Sequence, residues 1–313
     1  MQVFPAARRI MTRREERQMS NILVLMASHR SPGNSEILAR QAAAGAACSG
    51  AQIELLNISK MRISTCEGCL RCVFQGKCGE QDEMGELVNK MLAADGLIVA
   101  APIYLLAPAS LIKKAMDRAL MMSLYLDELE GRRRGAVTIA VAGKEDWNPI
   151  GMEVLNQFAY AYGFPVYDYL EAYAPGPGEI LLQEQVMEKA GRLGEGLVAY
   201  LHGKAPARKP AANQCPSCYS RSFRLLGGNR IKCSFCLVEG TLDGSGNVQV
   251  APELLADAFW TPKHRKRHLE EWIKATRGSY LKNRELVKEK LQQFLAVQPP
   301  ATVKMEQKDG PGT

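Results

Sequence analysis

Between residues 21 and 170 the chain alternates short apolar runs with longer amphipathic stretches. Ile22–Ala27 (ILVLMA), Asp95–Ala101 (DGLIVAA) and Ala136–Ala142 (AVTIAVA) are apolar at nearly every position. Such a run has no solvent face and reads as a strand buried on both sides of a parallel sheet. Gln52–Asn57 and Val166–Leu170 supply two weaker strands. Helical stretches follow the strands: EILARQAAAGA after the first, LLAPASLIKKAMDRAL after the third, and Gly151–Tyr162 after the fourth. Five strands with crossover helices predict an α/β fold, a doubly wound five-stranded parallel sheet.

In such sheets ligands bind beyond the carboxyl ends of the strands. Three loops fall there. The first is Ser28-His29-Arg30-Ser31-Pro32-Gly33-Asn34-Ser35. Ser28, Ser31 and Ser35 offer hydroxyls, Arg30 offers charge, and Gly33 and Asn34 tolerate the dihedrals that turn backbone N–H groups inward. The loop matches neither GxGxxG nor GxxxxGK[ST], so an ordinary turn with a serine N-cap competes with an anion site. The second loop is Pro102-Ile103-Tyr104-Leu105. The third runs from Gly143 through Trp147 and Asn148, with Trp147 either covering a ligand or simply packing.

Eight of the nine cysteines form two sets of different spacing. Cys66, Cys69, Cys72 and Cys78 lie in CEGCLRCVFQGKC. Short C-x2-C-x2-C spacing lets one loop wrap an iron–sulfur cubane, with Gly68 and Gly76 permitting the tight turns. Zinc prefers two separated knuckles, and zinc or an unmetallated loop are the competing readings. Cys215, Cys218, Cys233 and Cys236 are such knuckles, CPSC and CSFC, flanking a hairpin that turns at Gly227-Gly228-Asn229. They predict a small four-cysteine zinc-ribbon-like module that depends on its metal to fold, with a rubredoxin-like iron site as the alternative. Cys48 stands outside both sets as a buried or idle thiol.

At these residues the sequence resembles the flavodoxin-like NAD(P)H-dependent FMN reductase group, and within it the iron–sulfur flavoproteins. The likeness covers roughly residues 20–200. It implies FMN phosphate contacts from Ser28, Arg30, Ser31, Asn34 and Ser35, with Gly33 in the same loop. Pro102, Tyr104, Lys113, Asp117 and Arg118 repeat the family's P-x-Y and K-x-x-x-D-R pattern. That pattern implies that Pro102, Ile103, Tyr104 and Leu105 line the isoalloxazine; the third loop is less regular in the family, and Gly143 is read as a further flavin neighbour. It gives Asp117 and Arg118 the task of fixing the helix and a subunit interface. The resemblance further implies a [4Fe–4S] cluster on Cys66–Cys78, ferredoxin or a similar carrier as donor, with NAD(P)H as the alternative, and a homodimer or homotetramer.

The remaining organisation is read as a basic N-terminal extension over 1–20, a Pro/Ala-rich linker over 203–212, the ribbon over 213–250, a helical segment over 251–297 with a last helix about Asn283–Val297, and a disordered tail over 298–313. The formal charge of +7 invites a nucleic-acid reading. Two four-thiolate metal centres and a flavin phosphate would each add about −2, leaving about +1. The basic stretch Lys263–His268 is therefore read as solvated surface, and nucleic-acid contact is not expected. No apolar run approaches a membrane span, no signal peptide opens the chain, and the cysteine usage suits a reducing, cytoplasmic setting. No acid–base constellation presents itself, and no catalytic side chain is assigned. The functional expectation is an FMN-dependent oxidoreductase that couples a [4Fe–4S] cluster to FMN. A cluster-free NAD(P)H-dependent FMN or quinone reductase, and a non-enzymatic nucleic-acid or protein interaction module, are the rivals.

Overall fold

The computed structural model describes residues 19–297. Most of the expected N-terminal extension and the whole of the expected 298–313 tail lie outside them. Residues up to Lys266 form one compact unit and Arg267 onward a second.

The first unit is built on β1 (Asn21–Met26), β2 (Gln52–Asn57), β3 (Gly96–Tyr104), β4 (Gly135–Ala142) and β5 (Val166–Tyr173), in the order β2-β1-β3-β4-β5 and parallel throughout. This is the flavodoxin-like doubly wound order, whose switch point lies between β1 and β3. The three apolar runs are the three central strands, and every residue of β4 is buried. β3 and β5 each continue three residues past their expected ends, so Pro102–Tyr104 belongs to a strand.

Helices α1 (Asn34–Cys48), α2 (Met84–Ala93), α3 (Ser110–Met116), α4 (Gly151–Ala161) and α5 (Glu184–Leu201) cover the two faces. Residues of α2 and α4 pack with one apolar cluster, and residues of α1 and α5 with the other. Helices α1 and α5 touch backbone to backbone: a Cβ on Gly194 would lie 1.8 Å from the Ala42 carbonyl oxygen, and one on Gly45 2.1 Å from that of Gly191. Gly→Ala in an exposed helix normally stabilises by about 1 kcal/mol. Here Gly194→Ala should instead destabilise by about 1–3 kcal/mol, the range for overpacking. Gly85→Ala, which meets nothing within 4 Å, should stabilise; urea melts of the two variants check the opposite signs.

The cysteine knuckles lie on a four-stranded antiparallel sheet of β6 (Phe223–Gly227), β7 (Arg230–Cys233), β8 (Glu239–Leu242) and β9 (Val248–Gln249). The hairpin turns at the expected glycines. This module is docked on the large domain by buried polar contacts. Asn156 on α4 donates to the Cys218 carbonyl (3.3 Å), Tyr160 to that of Ser217 (3.2 Å), and Gln214 to the Tyr169 hydroxyl (2.7 Å). Trp260 stacks on Tyr160 and donates to the Phe235 carbonyl.

The basic stretch is not freely solvated. Arg265 reaches the Ala161 carbonyl at the end of α4 (2.8 Å), Lys266 pairs with Asp127 and Glu130, and the His264 ring bonds the Asp257 carbonyl. In the second unit, a π-helical segment His268–Lys274 runs into α6 (Ala275–Leu295), which is exposed along its length and starts eight residues before the expected Asn283. Among the described residues no helix is long and apolar enough to cross a membrane.

Candidate functional site: three strand-end loops and two cysteine sets

The loop after β1 is held from below. The Ser28 carbonyl accepts from Asn57 Nδ2 and Ser59 Oγ, both at 3.0 Å, and the buried Ser28 hydroxyl accepts from the Arg30 N–H at 3.1 Å. The N-cap of α1 is Gly33, with no side-chain cap bond. A helix of fifteen residues thus presents its first turn of N–H groups and its positive dipole end without an internal acceptor. The serine cap of an ordinary turn is therefore not formed here. A Cβ on Gly33 would press against Ser28 Oγ and Arg30 at 3.2–3.3 Å.

Around the cap, Arg30 and Ser31 are exposed and Ser35 is buried. The Asn34 side chain is fully engaged. It donates to the Ala174 and Gly176 carbonyls (3.1 and 2.9 Å) and accepts from the Gly178 N–H (2.8 Å). It therefore ties the first loop to the loop after β5, and leaves only its backbone for a ligand. Sequence reasoning missed this tie, because the partner carbonyl of Ala174 lies 140 residues away.

The second loop is a tight hairpin. Ile103 and Tyr104 pair with Pro108 and Ala107, and Leu105 and Leu106 form the tip with φ of 46° and 71°. A two-residue hairpin loop of type I′ requires positive φ at both positions and usually carries Asn-Gly. An L-residue in this region costs about 1–2 kcal/mol. The strain presents Tyr104 and Leu105 to solvent, Leu105 at 88% exposure, whereas Ile103 is buried against Gly151. Such strain concentrates at functional sites. Leu105→Asn/Leu106→Gly should raise stability by about 1–2 kcal/mol; urea melts of the variant and the wild type check the sign.

In the third loop Gly143 and Trp147 are exposed, with Lys144 Nζ 5.8 Å from the indole centroid. The loop closes at the buried Asn148, which donates to Glu171 Oε1 on β5 at 3.0 Å. The same oxygen accepts from Arg221 at 2.7 Å, and the Arg221 N–H donates to buried Glu153 on α4 (3.2 Å). Arg221 lies three residues after Cys218, so the ribbon braces this loop.

The four tail sulfurs are buried and lie within 4.8 Å of one another, with Cys215–Cys236 at 3.4 Å and Cys218–Cys233 at 3.5 Å. A tetrahedral ion with metal–sulfur bonds of about 2.3 Å places its sulfurs about 3.8 Å apart. The shell fits one ion and is too tight to enclose a cubane. The sulfurs of Cys215, Cys218 and Cys236 hold the Cys233 thiol far below its ordinary value, while those of Cys215, Cys233 and Cys236 drive Cys218 far up. Thiolates this close repel one another unless a cation sits between them.

The first cysteine set is arranged differently. Gly68 and Gly76 take left-handed φ of 67° and 74°, as the turns require, and Gly76 ends a short helix, Arg71–Gln75. Cys66 and Cys69 are exposed and Cys72 and Cys78 half-buried, and these four do not form a tight shell like that of the tail. They do share one neighbourhood: burial, then Cys78, Cys66 and Cys69, push the Cys72 thiol up. Cys72 and Cys78 line a cavity with Lys77, Asp82 and Arg118. Arg118 is 2% exposed and sits inside the domain. It pairs with Asp82 and donates to Cys78 Sγ at 3.1 Å. Asp117 pairs with Lys113 on the helix surface. Cys48 is exposed at the end of α1.

A family model described as NADPH-dependent FMN reductase matches residues 20–148. An iron-sulfur flavoprotein of Archaeoglobus fulgidus is 26% identical over 180 residues, which cover 58% of this chain and 80% of that protein. One of Methanosarcina thermophila is 33% identical over 125 residues, 36% of this chain and 65% of that protein, just under two thirds of its length. A solved flavone reductase superposes with a TM-score of 0.72 at 22% identity, covering 91% of this chain and 100% of its own. That likeness is one of fold, and it takes in more than the sheet domain. The chain thus has sequence ties to the FMN reductase family model and to the iron-sulfur flavoproteins, and it shares its fold with the flavone reductase.

Proposed function

We propose that the chain is an FMN-dependent oxidoreductase that passes electrons between a one-electron carrier such as ferredoxin and a two-electron partner, through a [4Fe–4S] cluster on Cys66, Cys69, Cys72 and Cys78. The observation that carries this reading is the pairing, on one domain, of an uncapped helix N-terminus at the sheet's switch point with a cysteine loop whose half-buried thiols face a buried arginine. The relatives named iron-sulfur flavoproteins support it.

In this reading Gly33, Asn34 and Ser35 offer backbone N–H groups to the FMN phosphate, with Ser31 and Arg30 beside them. Pro102, Tyr104, Leu105, Gly143 and Trp147 border the isoalloxazine. Ile103 acts by packing. FMN exchanges electrons singly or in pairs and the cluster singly; the protein's part is placement and tuning. The tail site holds a structural zinc ion. Its knuckle carbonyls are engaged by Asn156 and Tyr160, which favours a brace over a nucleic-acid surface.

A cluster-free NAD(P)H-dependent FMN or quinone reductase is the second reading, favoured by the exposure of Cys66 and Cys69. Anaerobic purification with iron, sulfide, zinc and flavin counted per chain separates the two. About four iron, four sulfide, one zinc and one FMN support the first; FMN and zinc without sulfide support the second. Rapid stoichiometric reduction of the flavin by NADPH in anaerobic stopped-flow would overturn the choice of ferredoxin as donor.

A further inference from the structure

The side chain of Arg118 is placed to do more than close an ion pair. One nitrogen pairs with Asp82 and also reaches the Ser64 carbonyl (3.4 Å). The other terminal nitrogen points to Cys78 Sγ at 3.1 Å. Its Nε is buried and has no partner among the described residues, although the side chain lines the cavity shared with Cys72 and Cys78. A buried donor normally finds an acceptor. Sulfur bound to iron is such an acceptor, and it becomes a better one when the cluster takes up an electron.

We propose that Arg118 sets the reduction potential of the cluster on Cys66–Cys78, acting as a positioning residue through the Cys78 sulfur. The inference rests on the cluster reading above. Cluster potentials follow net charge, hydrogen bonds to sulfur and solvent exposure. Arg118 supplies a full positive charge and a hydrogen bond from a side chain only 2% exposed, where the Coulomb interaction is weakly screened. Both favour the more negative, reduced cluster and raise the potential. Asp82, on the far side of the guanidinium, offsets part of that charge and lowers it.

The two partners of one ion pair should therefore move the potential in opposite directions, which a purely structural role would not produce. The full-length chain is reconstituted anaerobically with iron and sulfide, the stoichiometry is counted, and the cluster is titrated by EPR-monitored potentiometry. Arg118→Gln should shift the midpoint negative by about 59 mV or more, a tenfold change in the oxidised-to-reduced ratio for one electron. Asp82→Asn should shift it positive. Shifts of the same sign, or none, with four iron and four sulfide retained, overturn the proposal. If Arg118→Gln does not fold, Arg118→Lys replaces it: a smaller negative shift supports the proposal, and no shift overturns it. A wild-type chain that takes up no iron and sulfide overturns the cluster reading itself, and this inference with it.

Discussion

Stripping the metal from the Cys215, Cys218, Cys233 and Cys236 site should unfold the tail module and, with it, weaken FMN binding by about tenfold or more, a loss of about 1.4 kcal/mol or more. The module has little core of its own: among the described residues its cluster buries Val238 and Ala258 besides the four cysteines, with half-buried residues such as Phe223 and Phe235 packed around them. Structural zinc in small modules contributes about 10–16 kcal/mol at neutral pH, more than such a core can replace. The consequence reaches, through Arg221, the third of the loops proposed to border the flavin. With the ribbon unfolded, Glu171 loses the guanidinium that shares its oxygen with Asn148, and buried Glu153 loses its backbone donor and its ion partner. The third loop is then anchored to β5 without a counter-charge. Thiols must lose protons to bind the ion, so acid favours release. Chelator titration followed by far-UV circular dichroism, zinc release and flavin fluorescence tests the coupling. FMN affinity unchanged on a chain that has lost its metal would show that the ribbon does not brace the flavin loops. Cys218→Ser should reproduce the effect, whereas Arg221→Gln should reproduce the flavin defect with zinc retained.

The sheet was legible in the sequence because its central strands are buried on both faces, so their apolar runs have no competing explanation. β1 and β4 fall within one residue of the expected ends. β3 outruns its expected end because a proline reads as a stop, yet Pro102 pairs with Val141 in the register of β4 and lacks only its own N–H. The four-cysteine shell of the tail was legible from spacing, since two knuckles on a hairpin must converge. What was not legible depends on partners distant in sequence. Nothing near Asn34 announces that its amide is taken by Ala174, Gly176 and Gly178. Nothing near Arg118 announces Asp82 and Cys78. A K-x-x-x-D-R pattern on a helix supplies the residue types but not their faces: Asp117 pairs with Lys113 at the surface, and Arg118 turns inward. The two left-handed leucines were illegible for another reason. Their sequence argues against the turn they make, and only the pairing of Ile103 and Tyr104 with Pro108 and Ala107 imposes it.

Removing the Asp82 carboxylate should be among the most destabilising single changes in the sheet domain. Its side chain is 5% exposed and that of Arg118 2%. Its oxygens also accept the backbone N–H groups of Ser64 (2.6 Å) and Met84 (3.1 Å). Burial alone would push the carboxyl up, but Arg118 and the Ser64 and Met84 N–H groups outweigh it and hold the carboxyl below its ordinary value. Asp82→Ala leaves a buried guanidinium without a counter-ion and two amides without acceptors. Breaking a buried pair in this way costs about 3–5 kcal/mol. Removing both charges costs much less, so Asp82→Ala/Arg118→Met should recover most of the loss in urea melts at neutral pH. If the double variant is no more stable than the single one, the charge of Arg118 is not what the aspartate offsets. The pH dependence has a fixed sign. A carboxyl depressed on folding contributes its full stability above its unfolded value, about 3.9, and loses it as pH falls through the lower folded value. The advantage of the wild type over Asp82→Asn should accordingly be constant from neutrality down to about pH 4 and shrink only below it. An advantage that faded between about pH 7 and pH 5 would assign the titration to another group.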